Sequence, residues 1–212
     1  MLSARVRKSS GKIVTKPRKA PVQERSRETV EVILTATARV LVDVGYDHAS
    51  TNKVAEIAGV SVGSLYRYFP SKEALVAALI ERHVQSMLDV CESKLIEMAD
   101  APLDRAAHEI VRAILRAQSV NPRLHRILIQ QVPRVGQLRN VDALQDRFGV
   151  LVKAYLENRK KELRPKNIDL AVFMLVRAVE AVAHAAVLEK PDLLVDGELA
   201  DELAEMVLRY LV

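Results

Sequence analysis

The sequence has few of the residues that disulfides, aromatic cages and metal clusters require. Its 212 residues include one cysteine, Cys91, no tryptophan, and only five tyrosines and three phenylalanines. A single cysteine excludes an internal disulfide and a thiolate metal cluster, so no metal site is expected. No continuous run of about 20 apolar residues and no apolar signal-peptide core is visible, so we expect a cytoplasmic protein without a membrane segment.

Motifs that carry catalysis are also missing. The sequence contains no nucleophile elbow, no glycine-rich phosphate loop, no His-Glu-x-x-His and no paired Cys/His set. Its 50% hydrophobic and 28% charged residues are typical of a globular protein. We therefore expect a binding protein rather than an enzyme, and we expect it to need no cofactor.

The excess of positive charge belongs to the N-terminus. Residues 1–22 contain seven basic and no acidic side chains, which leaves 25 basic and 27 acidic residues in the rest of the chain. This segment has little periodicity and is rich in Ser, Lys and Pro, so we predict a disordered basic arm over residues 1–22. Such an arm either adds salt-dependent affinity for phosphates or is a passive tail.

From residue 23 onward the hydrophobic pattern is helical, and no convincing strand pattern is present. A helix is predicted from about 23 to 44, with Gly45 ending it. Short helices follow at about 51–58 and 62–69, with Ser50 or Thr51 capping the first and Ser61 the second. Further helices are predicted at about 72–98, 103–119, 123–131, 138–163, 168–188 and 197–211, with turns at Pro133 and the other prolines. The expected fold is all-α, with about nine helices.

Residues 51–75 have the pattern of a helix-turn-helix. Gly59 and Val60 form a tight turn between two short helices, as this motif requires. One side is predicted to be buried through Val54, Ile57, Leu65 and Phe69. On the other side, the second helix begins with the small, uncharged residues 62–64, which suit close approach to a DNA groove.

The stretch Ala58-Gly59-Val60-Ser61-x-Gly63-x-Leu65-Tyr66-x-Tyr68-Phe69-x-x-Lys72-Glu73-x-Leu75 resembles the DNA-binding signature of the TetR family. With Gly45-Tyr46 and the first helix, the resemblance covers about residues 29–75. It implies a helix-turn-helix DNA-binding domain at 23–72 and a C-terminal helical bundle at 73–212 that binds ligand and dimerises. It also implies that Thr51, Tyr66, Tyr68 and Lys72 contact phosphates. Val62, Gly63 and Ser64 would face base edges, with Asn52 as a further DNA-contacting candidate.

The resemblance implies a transcriptional regulator that binds double-stranded operator DNA. The expected form is a repressor that binds a palindromic operator as a homodimer, through helices at about 168–188 and 197–211, and that a small-molecule effector releases. The alternatives are an orphan or activating regulator without a ligand, or a helical interaction module without DNA contact. A sensor should contain a cavity of ~300–1,000 Å³, whereas an orphan regulator should have a filled core.

Polar residues within apolar helical stretches are candidates for the effector pocket. Arg177, Glu180 and His184 share one helix face, which suits either a polar corner of the pocket or a polar seam at the dimer interface. The low aromatic content favours an aliphatic or mixed pocket. The candidates are His83, Met87, Cys91, His108, Arg112, Arg177, Glu180 and His184, with Gln85 and Gln118 as further possibilities.

Overall fold

A computed structural model describes residues 24–135, 139–194 and 197–212, and within these ranges all regular structure is helical. The all-α class is therefore confirmed. The predicted basic arm, residues 1–22, lies outside the described residues. The described helices are α1 (Glu24–His48), α2 (Thr51–Ala58), α3 (Val62–Tyr68), α4 (Lys72–Glu97), α5 (Leu103–Ser119), α6 (Pro122–Val135), α7 (Arg139–Glu157), α8 (Ile168–Glu189) and α9 (Glu198–Leu211), with short 3₁₀ turns at Lys160–Glu162 and Pro191–Leu194.

Three helix boundaries differ from the sequence-based prediction. In α1 the helical backbone is interrupted at Gly45, with φ 74° and ψ 172°, and one more turn follows to His48. The turn predicted at Pro133 is wrong, because α6 continues through this residue to Val135. The helix ends two residues later, so the disruption that a proline causes is confined to its last turn. α7 ends at Glu157 rather than at residue 163.

The first hydrophobic core joins α1, α2, α3 and the beginning of α4. Its most deeply buried large side chains include Ile33, Leu41, Leu65, Phe69 and Leu75, each at most 1% exposed. α6 also contributes to this core through Leu124 and Leu128. Consequently α6 is anchored to the N-terminal helices, although it lies far from them in sequence.

The second core is formed by α5, α7, α8 and α9. α4 reaches both regions: its residues from Ala74 to Ile80 are buried in the first core, and Leu88, Cys91 and Leu95 are buried further along the same helix. α4 therefore connects the first core with helices of the second core, because it contacts α1 as well as α5 and α7.

α8 is long and apolar enough to span a membrane by length and composition alone, with a mean hydropathy of 1.8 over its most apolar window. Even so, α8 is not a continuous run of about 20 apolar residues, because Arg177 and Glu180 interrupt it. In addition, Val172, Leu175, Ala183 and Val187 are buried against other helices of the second core. An interior helix of a bundle meets the same criteria, because it is apolar on several sides.

Candidate nucleic-acid interface and internal cavity

The ends of α2 and α3 are closed by the caps that the sequence predicted. The Ser50 hydroxyl accepts the backbone N–H of Lys53 at 3.2 Å, and the Ser61 hydroxyl accepts that of Ser64 at 3.1 Å. Between the helices, Gly59 has a φ of 66°, a left-handed conformation that favours glycine. These local interactions define the ends and the turn of the helix-turn-helix, which the first core packs against α1 and α4.

The buried side of this unit matches the prediction at three of four positions. Val54, Leu65 and Phe69 are at most 2% exposed, but Ile57 is 37% exposed, so the prediction for Ile57 is wrong. The inner face of α2 is centred between Val54 and Ala55. At about 100° per residue, Ile57 lies roughly 110° from that centre.

The beginning of α3 presents a small and open surface. Val62 is 40% exposed, and a Cβ atom built on Gly63 would have no neighbour within 4 Å. Glycine inside a helix is less stable than alanine by about 0.5–1 kcal/mol. Nothing within the described chain requires a glycine at position 63. The absence of a side chain there instead favours a partner that approaches α3 closely.

A pair of hydroxyl groups connects the first residue of α2 to the exposed side of α3. The Tyr66 hydroxyl lies 3.0 Å from the Thr51 hydroxyl in an exposed position. Each oxygen can both donate and accept, so the pair keeps capacity for another ligand such as a phosphate oxygen. Asn52 is exposed beside Thr51.

Tyr68 and Lys72 have partners within the fold. The Tyr68 hydroxyl lies 3.1 Å from the Ser26 hydroxyl on α1. The Lys72 ammonium donates to the Tyr46 carbonyl at 2.9 Å and lies 4.3 Å from the centre of the Tyr46 ring. Lys72 therefore has a structural role at the start of α4, and two N–H groups of its ammonium can still bind a phosphate.

Arg67 is an exposed cation on α3 that the sequence analysis missed. Its guanidinium donates to the Ser64 hydroxyl at 3.1 Å. The signal was present, because Arg67 follows Gly63 by about one helical turn and therefore lies on a neighbouring part of the same surface. It adds positive charge beside the small residues at the start of the helix.

A cavity of about 500 Å³ lies between α4, α5, α6, α7, α8 and α9. This volume falls within the range of small-molecule sites. Most of the lining is aliphatic, with Phe148 and Tyr155 as its benzene-ring side chains. Of the residues proposed from the sequence, the lining includes His83, Met87, Cys91, Gln118, Glu180 and His184.

The remaining pocket candidates lie outside the cavity because they pair at the surface. The Arg112 guanidinium donates to Asp201 at 2.6 Å, and Nδ1 of His108 donates to the Asp104 carbonyl at 2.9 Å. Arg177 pairs with Glu180 at 2.9 Å, and Gln85 donates to Asp89 at 2.7 Å. Of the three residues on this face of α8, Arg177 therefore lies outside the cavity, whereas Glu180 and His184 line it.

The sequence analysis also missed His125, which lies at the centre of a histidine cluster. Its Nδ1 is 2.6 Å from Nε2 of His83, and its ring centre is 5.6 Å from that of His184. A sequence signal existed, because His125 follows Leu124 on the apolar stripe of α6. Its spatial neighbours on α4 and α8 could not be identified from spacing alone.

Burial keeps this cluster uncharged. It lowers the pKa of His125 to about 3, with smaller contributions from His83 and His184. Burial also lowers the pKa of His83, assisted by Arg82, and that of His184, against the opposing effect of Glu180. Burial raises the pKa of the Cys91 thiol to about 12, so this cysteine is an unreactive thiol.

Three buried polar atoms on cavity-lining residues have no hydrogen-bond partner: Oε1 of Gln118, Nε2 of His125 and the Tyr155 hydroxyl. Buried polar groups are normally hydrogen-bonded, and leaving one unpaired costs about 1–3 kcal/mol. Their location in an otherwise apolar lining suits a ligand with hydrogen-bonding groups.

Two family models match the chain. Residues 33–79 match the model described as bacterial regulatory proteins, tetR family, and residues 102–211 match the tetracyclin repressor-like C-terminal domain. An uncharacterized HTH-type transcriptional regulator of Mycobacterium tuberculosis is 34% identical over 108 residues, covering 50% of this chain and 55% of the relative. The chain thus spans about half the length of the curated relatives it matches.

Solved structures share the fold over almost their whole length. A TetR-family regulator from Mesorhizobium loti has a TM-score of 0.73 at 21% identity, with 89% of this chain and 99% of that chain covered. The regulator FadR from Bacillus subtilis, in complex with stearoyl-CoA, has a TM-score of 0.68 at 19% identity, with 85% and 98% covered. At these identities the likeness establishes the architecture, with its N-terminal helix-turn-helix and C-terminal helical domain.

Proposed function

Because the chain belongs to the TetR family of DNA-binding transcriptional regulators, which are not enzymes, we propose that it is a ligand-responsive repressor. It binds a palindromic operator as a homodimer and leaves the DNA when a small molecule fills the cavity that helices α4 to α9 surround. Its site of action is the cytoplasm, where the DNA and the effector are both present.

In this proposal α3 enters the major groove through its N-terminal end. The exposed Val62 and Gly63 allow close approach to base edges, where Val62 offers only an apolar contact, for example to a thymine methyl. Thr51, Tyr66 and Lys72 bind the flanking phosphates, with Tyr68, Asn52 and Ser64 as further contacts. Direct reading of the bases is therefore limited, so DNA shape contributes much of the sequence preference.

Exposed apolar side chains on α8 and α9 support a dimer. Leu170, Phe173, Met174 and Met206 are between 45% and 63% exposed, and the Tyr210 hydroxyl lies 3.8 Å from the Met174 sulfur. Monomeric proteins rarely expose large contiguous apolar surfaces. Pairing these helices across a two-fold axis forms a four-helix bundle, and two-fold symmetry then requires an operator with two half-sites.

The cavity is the observation that favours a sensor over an orphan regulator. An orphan regulator needs no internal space, whereas about 500 Å³ accommodates a small effector. The complex of FadR with stearoyl-CoA supports a ligand that contains a long acyl chain. Because α4 connects the cavity lining to the first core, a ligand that favours one position of α4 shifts the spacing of the two α3 helices.

The test is operator release. DNA fragments selected by the purified protein from a genomic library supply the operator, and fluorescence anisotropy measures its affinity with and without a metabolite extract. We expect the extract to weaken operator binding. An extract that leaves the affinity unchanged at every concentration would favour the orphan alternative, because no coupling between the sites would exist.

A further inference from the structure

The lining of the cavity runs lengthwise along α4. Ile80 and Leu95 are the first and last residues of α4 that line it, and at 1.5 Å per residue they lie roughly 22 Å apart. Most of the intervening lining residues of α4, such as Val84, Met87 and Leu88, are apolar. The shape of this wall suits an elongated occupant whose body is mainly aliphatic.

Among the described residues, the lining offers no counter-charge for an anion. In this part of the chain it includes no lysine or arginine, and its one carboxylate belongs to Glu180, which is already paired with Arg177 at 2.9 Å. A cationic ligand would have to compete with Arg177 for this carboxylate, and an anionic ligand would lie near it without a cation. A charge that is buried without a partner has a large desolvation penalty.

The histidine cluster does not supply a positive charge for an anionic ligand. Burial lowers the pKa values of His83, His125 and His184, so all three imidazoles are uncharged near neutral pH. A carboxylate or phosphate could gain a positive partner here only if a proton were taken up with it. The cavity therefore favours a ligand without net charge.

His125 nevertheless presents a hydrogen-bonding atom. One of the two nitrogens in the His83–His125 contact donates and the other accepts. If His83 donates, His125 carries its proton on Nε2 and that atom is a donor; in the other tautomer, Nε2 of His125 is an acceptor. Because this atom is buried and unpartnered, it can bind either a carbonyl or a hydroxyl group.

Resting on the effector role proposed above, we infer that the cavity binds an elongated, mainly aliphatic, uncharged molecule whose hydrogen-bonding head group contacts His125. The head group then lies against α6, where Leu124 and Leu128 belong to the first core. Its chain extends along α4 towards Leu95. In this orientation, the polar end of the ligand contacts the helix that is anchored to the DNA-binding unit.

A series of probes with decyl or decanoyl chains tests the ligand class on the unmodified full-length protein. The members are 1-decanol, methyl decanoate, decanoate and decylammonium, which share a similar aliphatic chain and differ in head group. Isothermal titration calorimetry at pH 7.5 measures each affinity without DNA. We expect the two uncharged probes to bind at least about tenfold more tightly than either ion. Ions that bind as tightly as 1-decanol, or a series in which no uncharged member binds, would overturn the inference.

A variant pair tests the position of the head group. H125L removes the hydrogen-bonding atom, and we expect it to weaken 1-decanol binding about two- to tenfold, as expected for one neutral hydrogen bond. H108L is the matched control, because His108 lies outside the cavity. Equal affinities of H125L and the unmodified protein for 1-decanol would contradict the assignment of His125. If H125L does not fold, H125Q, which retains a hydrogen-bonding group, is expected to bind more tightly than H125N, whose shorter side chain ends further from the cavity.

The experiment separates this inference from the proposed function. Calorimetry reports occupancy of the cavity, whereas operator anisotropy in the presence of 1-decanol reports coupling. Binding of the uncharged probes without any change in operator affinity supports the ligand class and contradicts the effector role. Operator release by a metabolite extract, together with preferred binding of charged probes, would support the effector role and overturn the ligand class.

Discussion

The hydroxyl groups of Thr51 and Tyr66 lie 3.0 Å apart, and this contact joins the first residue of α2 to the exposed side of α3. It holds the phenol in one direction before any DNA is bound. A side chain that is already oriented loses less conformational entropy when it binds a phosphate. In the proposed complex, the contact would therefore contribute to DNA binding by preorganising the phenol for a phosphate.

Replacing Tyr66 with phenylalanine should weaken operator binding about tenfold, because one phosphate hydrogen bond and its orienting contact are lost. The dependence of affinity on salt should remain unchanged, since no cation is removed. Anisotropy titrations at several salt concentrations provide the measurement. Y155F, which removes a hydroxyl from the cavity instead, should keep the original affinity. Full operator affinity in Y66F would show that the phenol does not contact the DNA.

Replacing Gly63 with alanine should separate stability from DNA binding. The folded protein should gain about 0.5–1 kcal/mol, because a Cβ atom meets no neighbour and alanine is the better helix former. Operator affinity should fall at least about tenfold, because the added methyl group prevents close approach to the base pairs. Urea denaturation and anisotropy measure the two effects.

The control for this change is G149A. Gly149 lies in α7, and its added Cβ would be 4.0 Å from the nearest atom, on Val172, which is ordinary contact. This variant should also be at least as stable as the original, and its operator affinity should be unchanged. If G63A binds the operator as tightly as the original protein, this would contradict the proposal that α3 enters the groove through its N-terminal end.

The stability of the protein should decrease between pH 7 and pH 5 because of His125. Its pKa is about 3 in the folded protein and about 6.5 when unfolded, so below pH 6.5 the unfolded chain takes up a proton that the folded chain does not. The contribution of uncharged His125 to the free energy of unfolding is fully present above pH 6.5 and is lost as the pH falls towards 3. From His125 alone, about 2 kcal/mol should be lost by pH 5.

Urea denaturation of H125N at pH 7 and pH 5 measures this contribution. The loss of stability should be smaller in H125N than in the unmodified protein, whereas H48N, which alters an exposed histidine, should not reduce it. An identical pH dependence in all three proteins would mean that His125 is not buried as an uncharged imidazole.

Replacing Phe173 with glutamate should disrupt the dimer. Phe173 is 63% exposed on α8, and a charge at the centre of an apolar interface would be buried without a partner. The dissociation constant of the dimer should rise at least about 30-fold, as for a residue that dominates an interface. Sedimentation equilibrium measures it. I96E, at another exposed apolar residue that lies on α4, should stay dimeric, and a dimer that is equally stable in F173E would place the interface elsewhere.

The helix-turn-helix could be predicted from the sequence because its determinants are local. Ser50, Ser61 and Gly59 act on residues within one helical turn, so caps and turn were visible as short patterns. Ile57 was misassigned because a two-turn helix is too short for periodicity to locate its buried face.

The cavity and the exposed apolar side of α8 both depend on tertiary packing. The pairing of His83 with His125 brings α4 and α6 together across 42 positions in the chain, and no spacing rule relates such residues. In α8, apolar residues occur on several sides, so the sequence could not separate Leu175, which is buried, from Phe173, which is exposed. Such distinctions require the arrangement of all the helices around the bundle.

The most direct test of the central claim is hydroxyl-radical footprinting of the full-length protein on its selected operator. Two copies of α3 in a symmetric dimer should protect two sets of sugar–phosphate positions related by a two-fold axis, with a stoichiometry of two chains or a multiple of two per duplex. Protection that lacks this symmetry, or a monomeric protein that protects no duplex in buffer of low ionic strength, would contradict it.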